Sequence, residues 1–385
     1  MKMPVVFNPD LYAQPAAIYP ANEHQRPGVQ SLYFENEKYQ TKETRVFAWL
    51  GMPYLPEGAH RPGMVLVHGG GGTAFDEWVR LWNGRGYAAI AVDLCGCQPA
   101  TSASKEGMAH QQHDFSGPAG WNASFTQMRN DVTDHWQYHA ITALLRAHTI
   151  LANTKGVDPT RIGITGISWG GYITSLMMGI DPRYAAAIPV YGCGFITENS
   201  VWRDNGYDNT KAEDIKKWGE YWDPMHYLPN AKTPTLWVNG TNDFAYPLDS
   251  FKKSYSCLAN PTISIGVEMG HSHGHGWAPR EIHHFTDALF KGEAPLPEHI
   301  KTHIEDKRIL ATFTSVRPLM TTEICFTRAS GMWQDRKWNT LPAVSEATAE
   351  SYSIHAELPV GTTVAFINVW DDRGNCVSSP HIELA

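Results

Sequence analysis

A chain of 385 residues, 42% of them hydrophobic, is long enough for two domains and can bury a large core. Its formal net charge of −8 argues against the basic face that nucleic-acid binders carry, and no window reaches the roughly 18 apolar residues of a membrane span. The six cysteines (Cys95, Cys97, Cys193, Cys257, Cys325 and Cys376) follow neither a disulfide framework nor a Cys-x-x-Cys zinc spacing, so reduced, buried thiols are expected.

The first residues, Met1 to Pro9, lack the apolar core of a signal peptide, which points to a cytoplasmic protein, or to a secreted or periplasmic one whose signal has been removed. Residues 1–28 read as an irregular, proline-rich segment. Ser31–Phe34 and Thr44–Leu50 read as the strands of an opening meander. From Met64 the texture changes to continuous apolar runs suited to strands covered on both faces: Met64–Val67, Ala88–Val92, Ile162–Ile164, Ala186–Val190, Thr235–Val238 and Ile263–Val267. Helical stretches alternate with them near 74–84, 126–152, 171–180, 248–258 and 279–291. That alternation predicts an α/β domain over 29–292, with a mostly parallel sheet and helices on both faces. Two segments, 95–125 and 192–228, break the alternation and follow strand ends, where open α/β sheets carry their site loops. They are expected to wall a pocket. Trp202 in the second, with Tyr191 and Tyr246 on neighbouring strand-end loops, are the candidates for substrate contact. Past the linker Glu293–Glu298, short alternating runs separated by turn signals predict a small antiparallel β-sandwich over 300–385.

Within Gly163–Tyr172, the run Gly166-Ile167-Ser168-Trp169-Gly170 fits G-x-S-x-G, a strained strand-to-helix turn that presents a serine hydroxyl above a sheet. A short apolar strand precedes it, and Tyr172–Ile180 suits a buried helix. A serine hydroxyl is a poor nucleophile unless a base oriented by a carboxylate takes its proton and donors receive the oxyanion. The oxyanion element is legible in His68-Gly69-Gly70-Gly71-Gly72 at the end of the Met64–Val67 strand. The N–H of Gly70, with Gly71 as alternative, and the N–H of Trp169 are the expected donors, and His68 is expected to support the loop. The acid is Asp243, just past the Thr235–Val238 strand. Asp249 is the runner-up but sits where a helix should begin, and Asp93 precedes the serine and reads as structural. The base lies in Gly270-His271-Ser272-His273-Gly274-His275, with His271 first and His273 as alternative.

Three alternating histidines, and His135 and His139 four residues apart, invite a zinc reading. Trp136 stands where H-E-x-x-H has its glutamate, and no third ligand is placed by sequence. Neither a metal nor a cofactor is therefore expected. The aromatic supply, 14 Trp, 16 Tyr and 14 Phe, suits either a carbohydrate surface or a large core.

With these elements in order, the chain resembles the α/β-hydrolases. It is most similar to the acetyl xylan esterase and cephalosporin C deacetylase group, with its dienelactone-hydrolase and prolyl-oligopeptidase-type relatives. The resemblance runs over about residues 30–292. It is carried by Gly166–Tyr172, Val190-Tyr191-Gly192-Cys193-Gly194-Phe195 and Trp237–Pro247. It implies Ser168 as nucleophile, Asp243 as acid and a histidine within 271–275 as base. The chain departs from that group at Gly70, where a tyrosine is usual, at Trp169, where glutamine is usual, and in its added C-terminal domain. The leading expectation is a serine esterase acting on small acyl, above all acetyl, esters of a small molecule or carbohydrate. A prolyl-oligopeptidase-type peptidase is the second reading, although the residues ahead of Met64 are too few for a propeller domain. A non-catalytic carbohydrate-binding protein on this fold is the third.

Overall fold

Apolar runs uninterrupted by polar residues become the interior of a twisted sheet covered on both faces. The computed structural model describes residues 3–54, 56, 58–99, 111–120, 124–203 and 211–384. In chain order the first unit contains α1 (Asp10–Ala13), β1 (Ile18–Pro20), β2 (Gln30–Tyr39), β3 (Lys42–Gly51), β4 (Arg61–Val67), α2 (Asp76–Gly84), β5 (Ala88–Val92) and α3 (Trp136–Ala152). It continues with β6 (Val157–Ile167), α4 (Trp169–Ile180), β7 (Ala186–Val190), α5 (Ala212–Trp222), β8 (Leu236–Gly240), α6 (Leu248–Tyr255), β9 (Thr262–Gly266), α7 (His273–Trp277) and α8 (Arg280–Lys291). Among the described residues the strands form one sheet in the order β1-β2-β3-β5-β4-β6-β7-β8-β9. β1, β2 and β3 pair antiparallel at one side, and every pairing from β5 to β9 is parallel. This is the α/β-hydrolase arrangement. The parallel strands release their loops on one edge, where His68, Asp93, Ser168, Tyr191, Asp243 and His271 gather. Among the described residues no helix is long and apolar enough to cross a membrane.

Several elements differ from the sequence expectation for identifiable reasons. The segment expected to be irregular carries α1, whose Leu11 is buried, and the edge strand β1. The helix expected from 126 begins only at Trp136, after two 3₁₀ turns, Thr126–Arg129 and Val132–Asp134. Gln127 Oε1 accepts the Trp136 N–H at 2.7 Å, satisfying a donor that the first helical turn leaves open. α5 lies in a segment expected to be loop. Its Ile215, Trp218, Gly219 and Trp222 recur at helical spacing, and Trp218 and Trp222 are fully buried. The aromatic surplus goes largely to the core: Trp49, Trp82, Trp136, Trp218, Trp222 and Trp237 are fully buried.

The second unit is antiparallel: β10 (Glu298–Glu305), β11 (Arg308–Thr314), β12 (Leu319–Thr327), β13 (Trp338–Pro342), β14 (Val344–Ala347), β15 (Tyr352–Glu357), β16 (Val364–Asp371), β17 (Cys376–Ser378) and β18 (Ile382–Glu383). One sheet runs β10-β11-β15-β14 and the other β13-β12-β16-β17, with β18 added beside β16. This unit covers the outer edge of β9, which would otherwise present unpaired backbone groups. Ser378 Oγ accepts the Ile265 N–H at 2.8 Å, and Asn368 Nδ2 donates to the Ile265 carbonyl at 3.0 Å. Ser378 Oγ–H in turn donates to Asn368 Oδ1 at 2.5 Å, which fixes the amide orientation.

Candidate active site

Ser168 sits between β6 and α4 with φ +58° and ψ −118°, a conformation unusual for a residue with a side chain. Its N–H donates to Val190 O at 2.9 Å, and its carbonyl accepts the Tyr172 N–H at 2.8 Å, so both neighbouring elements hold the turn. The flanking glycines are required by backbone crowding. A Cβ on Gly166 would lie 2.2 Å from Gly170 O, and one on Gly170 would lie 2.1 Å from Val67 O. The N–H of Trp169 opens α4, where the helix presents unsatisfied donors and a partial positive charge.

The loops that carry Asp243 and His271 converge on that hydroxyl. Asp243 is buried. Its Oδ1 accepts the Ala245 and Tyr246 N–H groups at 3.0 and 2.8 Å, which leaves Oδ2 for His271 Nδ1 at 2.6 Å. A carboxylate only accepts, so the proton of that bond resides on Nδ1, and Nε2 faces Ser168 Oγ as an acceptor at 2.9 Å. Two rings pack against the imidazole. Tyr191 stacks on it at 4.5 Å between centroids and donates its hydroxyl to Gly270 O at 2.7 Å, while the exposed Phe244 packs at 4.8 Å.

His273, the alternative base, has a different task. Its Nε2 accepts the Gly69 N–H at 2.8 Å, and Phe75 packs against its ring at 4.7 Å. The approach is so close that a Cβ on Gly72 would lie 2.6 Å from His273 Nε2. His68 holds the other side of the same loop: Nδ1–H donates to Gly69 O at 2.8 Å, and Nε2 accepts the Leu94 N–H at 3.0 Å. Two buried imidazoles thus pin Gly69 by its N–H and its carbonyl. A cavity of about 200 Å³ opens beside the serine, lined by Gly70, Ile167, Ser168, His271, Ser272 and His273. Gly71 turns the chain just beyond it at φ +69°.

The residues expected to touch substrate lie inside the protein. Tyr191 and Tyr246 are fully buried and Trp202 is 3% exposed. Trp169, Trp202 and Tyr246 form one buried run of rings, with centroids 4.8 and 5.0 Å apart, behind the serine turn. Strand-end loops folded back on the sheet put these rings beneath the site surface, and Tyr191 acts on His271 instead. Phe244 was not singled out by the sequence. Its place directly after Asp243 in the chain was the available signal. Asp249 accepts Asn199 Nδ2 with both oxygens, at 2.9 and 2.8 Å, and Asp93 Oδ1 accepts the Cys95 and Cys97 N–H groups at 2.9 Å each. His135 Nδ1 accepts the Trp222 indole N–H at 3.0 Å, and His139 Nε2 meets Thr133 O at 2.9 Å. Among the described residues no three His, Cys, Asp or Glu side chains are grouped to hold a metal ion, and all six cysteines are free thiols.

Residues 98–291 match the model of the prolyl oligopeptidase family. The uncharacterized peptidase YuxL of Bacillus subtilis (strain 168) is 26% identical over 241 residues, which is 58% of this chain and 32% of that protein. The chain therefore spans about a third of that relative's length. Among solved structures, the acetyl xylan esterase from Paenibacillus sp. R4 superposes with a TM-score of 0.55 at 19% identity, covering 71% of this chain and 89% of that one. Acetyl xylan esterase 1 from Thermoanaerobacterium sp. JW/SL YS485 gives 0.52 at 18% identity, covering 67% and 83%. These likenesses establish the α/β-hydrolase fold.

Proposed function

The chain belongs to the prolyl oligopeptidase family of serine hydrolases, and from that premise we propose that it is a carboxylester hydrolase acting on small acyl esters, acetylated carbohydrate or small alcohols foremost. The observation that carries the reading is the unbroken hydrogen-bond line from Asp243 Oδ2 through His271 to Ser168 Oγ, with steps of 2.6 and 2.9 Å.

In this reading Ser168 Oγ attacks the ester carbonyl while His271 Nε2 takes its proton. Asp243 keeps the ring in the Nδ1–H tautomer and offsets the charge of the imidazolium. The N–H groups of Gly70 and Trp169 receive the oxyanion as the carbonyl becomes tetrahedral. His271 then protonates the departing alcohol, leaving Ser168 acylated. Water, deprotonated by His271, attacks the acyl carbonyl and releases the acid. The cavity of about 200 Å³ beside Ser168 has room for a short acyl group.

A second reading, a serine peptidase, is favoured by the family match and by the peptidase relative. It uses the same residues with an amine as leaving group. A panel of p-nitrophenyl esters of rising acyl length, beside acetylated oligosaccharides and aminoacyl p-nitroanilides, separates the two. The ester reading expects kcat/KM to peak at acetyl or propionyl and to exceed that for any anilide. A preference for anilides, or for long acyl chains, would overturn it.

A further inference from the structure

Resting on that reading, we infer that the C-terminal β unit is a working part of the active site, and that Asn242 is the positioning residue through which it holds the catalytic acid loop. Asn242 directly precedes Asp243 and reaches away from the cavity into the second unit. Its Nδ2 donates to two backbone carbonyls there, Gln334 O at 2.9 Å and Arg336 O at 2.6 Å. Its Oδ1 accepts the hydroxyl of Thr241 at 2.9 Å, and Thr241 Oγ1 accepts the Glu268 N–H at 2.9 Å. The donors fix every orientation in this line. A backbone N–H can only donate, so the Thr241 proton goes to Asn242 Oδ1 and both amide hydrogens go to carbonyls.

The line spans both loops that matter. Glu268, in the left-handed region at φ +53°, turns the chain out of β9 three residues before His271. Thr241 N–H also donates to Gly266 O at 3.0 Å, tying the end of β8 to the end of β9. The strand ends that carry acid and base are thus joined to each other and, through one amide, to a third point outside the hydrolase sheet. The third point is itself built. The carbonyls of Gln334 and Arg336 belong to a 3₁₀ turn, Trp333–Asp335, and the residue after it. Trp333 is buried against His381, 5.0 Å between ring centroids, and the Arg336 guanidinium lies 3.8 Å over its ring. Together with the Ser378 and Asn368 bonds to Ile265, the C-terminal unit grips β9 along its edge and the β8 loop at its tip. Asn242 is not among the residues that line the cavity, so its effect runs through Asp243 and the orientation of His271.

The test uses the full chain. Wild-type turnover of p-nitrophenyl acetate and stoichiometric labelling of Ser168 by a fluorophosphonate come first. If either fails, the hydrolase reading fails, whatever Asn242 does. With an active wild type, Asn242→Ala should lower kcat per fluorophosphonate-titrated site by about 10- to 100-fold, the scale of a sub-ångström to 1 Å misplacement, with KM within about twofold. A structural weakening would lower the number of titratable sites and leave kcat per site unchanged. Asn242→Asp, which sets a carboxylate against two carbonyl oxygens, should be no better than the alanine variant. Trp333→Ala touches none of the catalytic groups and should reproduce the loss. The double variant should then be no worse than the poorer single one, because both cut the same connection. If Asn242→Ala does not fold, Trp333→Ala carries the test with the same per-site readout. Per-site kcat within twofold of wild type in the folded variants, or additive losses in the double variant, overturns the inference.

Discussion

Gly69 donates its backbone N–H to Nε2 of His273, 2.8 Å away across 204 residues of sequence. This bond ties the glycine-rich loop to the segment that also carries His271, so the loop and His271 are set by one local structure. Only a neutral His273 protonated on Nδ1 can accept it.

It follows that His273→Ala should release the loop without touching the serine–histidine pair. We expect kcat for p-nitrophenyl acetate to fall about 10- to 100-fold, below the full cost of losing an oxyanion donor, with the Ser168 fluorophosphonate adduct still forming. His273→Gln, whose side-chain carbonyl can accept the same N–H, should recover part of the loss. Equal losses in the two variants would assign His273 to packing alone.

Gly170→Ala addresses the turn itself. Its Cβ would stand 2.1 Å from Val67 O and 2.6 Å from His68 O, backbone atoms at the end of a central strand that cannot step aside. Such a clash belongs with the rare substitutions that cost more than about 4 kcal/mol, and urea denaturation should show it. A midpoint close to that of the unaltered protein would mean that the strand end is far more pliant than its packing implies.

Stability should also fall with acid. Burial pushes the imidazoles of His139 and His148 down to about 4, and burial together with Arg85 pushes His283 down to about 3. Each is lowered from 6.5, so between 6.5 and the folded value the unfolded chain binds more protons. The stability these groups contribute is complete above pH 6.5 and is lost as pH falls toward 4, at about 1.4 kcal/mol for each unit of difference. Urea midpoints from pH 7.5 to 4.5 check this, and His148→Leu should flatten the curve. A variant curve parallel to that of the unaltered protein would contradict the assignment.

How much of this was legible in the sequence depends on range. The meeting of Ser168, Asp243 and His271 was readable because each follows an apolar run that must be a buried strand, and strand order places their loops on one edge. Choosing His271 over His273 rested on proximity to the strand end. What His273 does instead was unreadable, because its partner Gly69 lies far away in sequence and the approach depends on the absence of a Cβ at Gly72. Tyr191, Trp202 and Tyr246 were expected to touch substrate because strand-end loops usually wall the pocket. Folded back over the sheet, they became buried support. The tie from Asn242 to Gln334 and Arg336 crosses 92 and 94 residues and ends on backbone carbonyls, which no side-chain pattern announces.

The role of Ser168 as nucleophile is the central claim, and Ser168→Ala tests it most directly with p-nitrophenyl acetate as substrate. The proposal has the Ser168 oxygen attack the carbonyl, so kcat should fall by at least about 10⁴-fold, with the urea midpoint and near-UV circular dichroism unchanged. Turnover within tenfold of the unaltered enzyme, in a variant that keeps its fold, would contradict the account.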